Sequence, residues 1–187
     1  IEDFAGIKIV DSQGCRITNN LLSENTFGIY LANSERCLIE ANSVSSRKIR
    51  GFPAGNGIHI WKGEKMVVLN NEVRNNRDGI YFEFVKDSRI LKNHSIGNAR
   101  YGLHFMFSND DEYRDNIFEQ NGSGVAVMYS RNITMTGNRF EKSLGSASYG
   151  ILLKDIVTSK VYENNFVNNT VGAVLDGTTR SVFTQNL

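Results

Sequence analysis

Several residue types are scarce in this sequence, and each scarcity removes a class of function. Among 187 residues there are two cysteines, three histidines, one tryptophan and one proline. The cysteines, Cys15 and Cys37, form no CxxC motif, so a cysteine-built metal site is not indicated. Net charge is +1, and no basic stripe of the kind nucleic acid demands is present. No apolar run approaches the ~20 residues of a membrane-spanning helix. No Ser-His-Asp set or paired carboxylates emerge, which argues against an enzyme; a polysaccharide lyase, hydrolase or epimerase is the weaker alternative. Low-complexity tails and interdomain linkers are absent. Apolar residues make up 40% of the chain, enough for a core.

What the chain does have is a repeat. Gly6, Gly28, Gly57, Gly79, Gly102, Gly124, Gly150 and Gly172 each open a short alternating apolar run, at steps of 22, 29, 22, 23, 22, 26 and 22 residues. Fourteen residues after each glycine stands an asparagine: Asn20, Asn42, Asn71, Asn93, Asn116, Asn138, Asn164 and Asn186. A weaker echo follows at Asn25, Asn76, Asn98, Asn121 and Asn169. Such self-similarity marks a solenoid. Period-two runs broken by Asn, Gly and Ser, with little helical periodicity, specify strands. We therefore expect an all-β, right-handed parallel β-helix of eight coils, each about 22 residues, with stacked asparagines forming an amide ladder. Asparagine suits a left-handed corner. Glycine at each start answers either to backbone crowding or to positive φ. Residues 1–187 form one domain. The chain opens and stops inside coils without a signal-peptide pattern, so a fragment of a longer solenoid is expected.

Alternation assigns the faces. Positions one and three after each glycine point inward, from Ile7 and Ile9 to Ala173 and Leu175. A second inward row runs from Ile17 to Phe183. A third contains Leu22, Val44, Val73, Phe118, Phe140 and Phe166; Ser95 interrupts it, and the adjacent Ile96 suggests a local shift. Cys15 and Cys37 stack in neighbouring coils at an inward position, close enough for a disulfide but expected to remain free thiols. The longest insertion, SSRKIRGFPAGN, contains Pro53 with Arg47, Lys48 and Arg50; it is a solvated loop or, alternatively, a docking lid. A shorter one lies in SLGSASY. Asp111 is expected to point inward, His94 to bond local backbone, and Arg77 with Asp78 and Lys154 with Asp155 to be surface pairs.

The outward positions of the first strand carry the chemistry. His59, Trp61, Tyr81, Glu83, His104, Met106 and Met128 are placed on one exposed face, with Phe84, Phe107 and Tyr129 beside them. Apolar side chains outside a solenoid imply a partner or ligand. Imidazole with two thioethers is a soft set that suits Cu(I). We therefore expect His104, Met106 and Met128 to hold the ion, with His59 or Glu83 orienting, shielding or passing it; an apolar contact strip is the alternative. Sugar stacking on Trp61, Tyr81 and neighbouring aromatics is a rival reading.

The segments GNGIHIW, DGIYFEFV, YGLHFMFSNDD, GVAVMYS and YGILLKDI resemble the NosD family of periplasmic right-handed β-helix proteins over Gly55 to Asn169. The resemblance implies a noncatalytic role in copper-centre assembly of nitrous oxide reductase and a periplasmic location. It also implies three partners: an ATP-binding-cassette (ABC) transporter membrane subunit, a copper donor lipoprotein and the reductase. Copper is the implied cofactor, with no organic one. Neither nucleic acid nor a direct membrane span is expected.

Overall fold

A strand that buries one edge of its hydrogen bonds against the previous coil exposes the other to the next, and the chain repeats this eight times. The computed structural model describes residues 4–46 and 55–187. It forms three parallel sheets of eight, eight and seven strands, each strand pairing with its equivalent one coil along. Strands of the first sheet include Ile58–Glu64, Asp78–Glu83, Tyr101–Met106 and Ser123–Met128. No helix occurs among the described residues. The protein is thus an all-β parallel solenoid of eight turns. The basic insertion around Pro53, with Arg47, Lys48 and Arg50, lies outside the described residues.

Register is kept without slip. Ile58, Ile80, Leu103, Val125 and Ile151 occupy one continuous inward row. Phe118, Phe140 and Phe166 stack inside at 5.4 and 4.8 Å between ring centres. Ser95 sits in register between Val73 and Phe118, so the expected local shift does not occur. Its hydroxyl is satisfied, donating to the Gly102 carbonyl at 2.7 Å and accepting from Asn98 Nδ2 at 2.9 Å. That hydroxyl also explains an adjacent glycine. A Cβ on Gly79 would lie 2.0 Å from Ser95 Oγ and 2.6 Å from the Gly102 carbonyl oxygen. Crowding within the strand, not positive φ, excludes a side chain there.

Both asparagine ladders form. Along the main one, each backbone N–H donates to the next coil's Asn Oδ1 at 2.9–3.0 Å, from Asn20 through Asn186. Asn98 bonds Asn121 in the same way at 2.9 Å. The left-handed residue at the main corner is the one before the ladder, however: Asn19, Ala41, Asn70, Lys92, Asp115, Gly137, Glu163 and Gln185 all have positive φ. The ladder asparagine is chosen for its amide, which satisfies buried backbone groups, and not for its backbone conformation.

The cysteines are free, as expected. The Leu38 N–H donates to the Cys15 carbonyl at 2.8 Å, which sets the two in adjacent coils. Burial pushes the Cys37 thiol up.

Candidate metal-binding and docking face

On the outer face of the first sheet, side chains from the strand positions next to each glycine fold over those further along. The row Tyr30, His59, Tyr81, His104 and Ala126 runs in register. Rings meet edge-on along it, 4.7 Å from His59 to Tyr81 and 5.0 Å from Tyr81 to His104. Tyr101 covers His104 at 4.8 Å, and the Arg100 guanidinium lies over Tyr101. His104 is consequently only 5% exposed, and Tyr30 and Ala126 are buried as well. This corrects the expectation of an exposed row. Alternation turns these side chains away from the core, but neighbours outside the sheet bury them.

Asp78 lies at the centre of that cover and is 0% exposed. The expected surface pair with Arg77 does not form. Instead Arg100 clamps Asp78 with two hydrogen bonds, Nε to Oδ1 at 2.8 Å and a second from Nη2 to Oδ2. The Tyr101 N–H also donates to Oδ1, at 3.3 Å. Burial opposes ionisation of this carboxyl, but the Arg100 and His104 contacts outweigh it and hold its pKa below the usual carboxylate value. His104 Nδ1 stands 3.6 Å from Asp78 Oδ2 and 3.4 Å from Arg100 Nη2. Its Nε2 is buried with no hydrogen-bond partner.

His59 is held differently. Asn56 Nδ2 lies 3.3 Å from its Nδ1, and its Nε2 is also buried and unpartnered. As placed, Asn56 turns its amide nitrogen, a donor, toward Nδ1, which suits a ring hydrogen on His59 Nε2. Burial, with Arg77 adding to it, lowers its pKa to about 4.

Met106 and Met128 pair in register and are half-buried. The Tyr81 hydroxyl donates to Met106 Sδ at 3.7 Å, and burial raises the pKa of that phenol to about 12. The structure thus joins His59, Tyr81 and His104 through their rings, Tyr81 to Met106, and Met106 to Met128. Glu83 sits between Trp61 and Met106 in register. Trp61 instead belongs to a cluster with Phe27, Tyr30 and Ala32, with Lys62 Nζ 4.2 Å from its ring centre.

Among the described residues no three His, Cys, Asp or Glu side chains converge on a metal-sized position. A carboxylate-rich site for a hard cation is therefore not built here. The donors that this face does carry are soft ones: a buried imidazole nitrogen without a partner and two thioethers on in-register strands.

Phe84, Phe107 and Tyr129 form the exposed margin of this face, at 47%, 40% and 44% exposure. Their rings stack from coil to coil at 5.3 and 5.2 Å, with interplanar angles of 10° and 14°. All three have positive φ, uncommon for bulky residues. Asp11, Asn33, Lys62, Asp155 and Gly177 occupy the equivalent corner elsewhere; all but Lys62 are types that tolerate the conformation. The stack therefore accepts backbone strain that four of the five other coils avoid.

Two other expectations are settled. His94 pairs with Glu119, Nε2 to Oε2 at 3.3 Å, rather than with local backbone. Lys154 faces Asp176 in the next coil at 3.8 Å. Sequence reasoning missed Asp78, Arg100 and Tyr101. The register carried a usable signal, since Asp78 and Tyr101 hold the same position just before consecutive coil glycines.

A family model described as periplasmic copper-binding protein (NosD) matches residues 1–54 and 41–187. The chain is 34% identical over 168 residues to a probable ABC transporter binding protein NosD of Stutzerimonas stutzeri, covering 89% of this chain and 37% of that protein. It thus spans little more than a third of that relative's length. In fold it is similar to a double mutant of the periplasmic alginate epimerase AlgG, with a TM-score of 0.73 at 15% identity, over 98% of this chain and 48% of that one. The A-module of an Azotobacter vinelandii mannuronan C-5 epimerase is also similar, with a TM-score of 0.50 at 15% identity, over 96% and 58% of the two chains. At such identities the likeness concerns the fold alone.

Proposed function

Because this chain belongs to the NosD family of periplasmic copper-binding proteins, we propose that it is a noncatalytic periplasmic accessory protein for copper-centre assembly of nitrous oxide reductase. In this reading, copper is cargo. His104, Met106 and Met128 hold Cu(I), while Trp61, Glu83, Phe84, Phe107 and Tyr129 form the adjoining surface for partners. The relative's name supports association with an ABC transporter; the copper donor lipoprotein and the reductase complete the set of partners.

The observation that carries the reading is the buried, unpartnered Nε2 of His104 on the same sheet face as the in-register pair Met106 and Met128. An imidazole nitrogen without a hydrogen-bond partner is costly unless something else satisfies it. A soft cation held with thioethers does so. Tyr81 donates to the Met106 sulfur and holds that side chain against the face. The rival sugar-binding reading needs open ring faces. Lys62 Nζ lies over the Trp61 ring at 4.2 Å, and His59 and His104 flank the Tyr81 ring at 4.7 and 5.0 Å.

The test is a Cu(I) titration against a chromogenic competitor, run with thermal melts. Met106→Ala with Met128→Ala changes half-buried outer positions and should leave the fold intact while weakening Cu(I) binding at least about tenfold. Unchanged affinity in a folded double variant removes the site. Glycan binding without copper uptake would favour the rival. Substituting His104 at the same time is a poorer experiment, because that residue is buried among Asp78, Arg100 and Tyr101.

A further inference from the structure

We propose that Asp78, locked by Arg100, is a positioning residue that holds the His104 hydrogen on Nδ1 and so presents the Nε2 lone pair to the soft-metal side of the face. The proposal rests on the copper reading for its purpose, but its physical content belongs to the metal-free protein.

The argument begins with two tautomers. Asp78 and Arg100 both approach His104 Nδ1, at 3.6 and 3.4 Å. If Nδ1 carries the hydrogen, it faces a carboxylate that can only accept, and Nε2 is a bare lone pair. If Nε2 carries it, a buried donor is left without an acceptor. Arg100 gives Nε and one Nη2 hydrogen to Asp78, and its second Nη2 hydrogen can also reach Nδ1, at 3.4 Å. What favours the Nδ1–H form is that the other leaves a buried N–H with no acceptor. A carboxylate on the far nitrogen of a metal-binding histidine fixes ring orientation and tautomer and strengthens the donor.

The surroundings make this arrangement rigid. The Tyr101 N–H ties Asp78 Oδ1 to the next coil at 3.3 Å. The rings of Tyr81 and Tyr101 enclose the imidazole at 5.0 and 4.8 Å. The Tyr149 hydroxyl, two coils beyond Tyr101, donates to the Tyr101 hydroxyl at 3.4 Å and extends the cover. Water is thus kept from the pair, which strengthens the preference Asp78 imposes.

The molecule contains its own contrast. Beside His59 the neutral amide of Asn56 takes the place that the Asp78 carboxylate takes beside His104. An amide can donate to Nδ1; a carboxylate cannot. In this reading the two histidines of one row differ in which nitrogen is free, although both bury Nε2.

The experiment uses the metal-free chain labelled with 15N and reads the two ring nitrogens of each histidine by NMR at neutral pH. His104 should show a protonated Nδ1 and a bare Nε2, and His59 the opposite. Asp78→Asn should shift His104 toward the His59 pattern and lower Cu(I) affinity about 10- to 100-fold. A protonated Nε2 in wild-type His104 overturns the proposal, as does an unchanged tautomer in folded Asp78→Asn. If that variant does not fold, the wild-type tautomer and Arg100→Lys, which keeps the charge but loses the two-pronged clamp, decide. Expected tautomers with no Cu(I) binding in the wild type would sink the copper reading and leave the positioning role standing.

Discussion

Two regions of this solenoid each bury one aspartate, with opposite outcomes. On the outer face of the first sheet, Asp78 is fully buried, yet Arg100 and His104 hold its pKa below the usual carboxylate value. In the interior, Asp111 is 2% exposed, and burial pushes its pKa well up. The interior aspartate is not abandoned: it accepts from the Ser88 N–H at 2.8 Å and from the Tyr113 hydroxyl at 3.4 Å. Neutral donors do not compensate for lost hydration as a guanidinium does. What decides the charge of a buried acid here is the partner, not the depth.

The largest effect should come from removing the outer partner. Asp78→Ala strips Arg100 and the Tyr101 N–H of their acceptor, and should cost about 3 kcal/mol in urea unfolding, the low end for a buried pair because Arg100 can turn to water. A loss no greater than that of an ordinary surface substitution would mean the two regions do not differ as described.

Asp111→Asn should act in the other direction. A raised folded-state pKa means the fold is favoured with Asp111 protonated, so its contribution is fully present below the unfolded value near 3.8 and is lost as pH rises. Asparagine keeps an acceptor for Ser88 without the charge, so the melting midpoint should rise at pH 7 and the advantage should vanish in acid. For Asp78 the sign is reversed: its contribution is present above 3.8 and is lost as pH falls through its lowered value.

His59 sharpens the picture on the outer face. Its pKa falls from 6.5 to about 4, so stability should be full above pH 6.5 and decline as pH falls toward 4. His59→Gln should flatten that limb of a stability-against-pH curve; an unaltered slope would show that the ring is solvated.

The smallest effect belongs to the third sheet. His94 is partly exposed beside Glu119, which Lys142 already engages at 2.9 Å. His94→Ala should change stability by less than about 0.5 kcal/mol and leave Cu(I) affinity alone. A copper loss there would move the site to another face.

Much of the fold was legible because a solenoid writes its geometry once per coil. The glycine and asparagine periods located the register from Gly6 to Asn186, and alternation assigned Ile80, Phe82 and Phe105 inward. Legibility failed where residues act across coils without sharing a repeat position. Asp78 looked like half of a surface pair because Arg77 is its chain neighbour. Arg100, which actually binds it, belongs to the following coil. Ser95 looked like a register fault because only the contact with Gly102 reveals what its hydroxyl does. The ladder asparagines were credited with the left-handed corner, although Ala41 and Lys92 show that the residue before them bears it.

The sequence by itself determined the eight coils, the inward rows, the amide ladders and the sheet face that gathers His59, Tyr81, His104, Met106 and Met128. Each follows from period and alternation, which are properties of the chain's order. Only the tertiary structure decided which outward side chains are also buried. Arg100 and Tyr101 fold over Asp78 and His104, and Asn56 approaches His59. Those contacts depend on side-chain reach across a 4.8 Å coil spacing, and no pattern along the chain records where a side chain comes to rest.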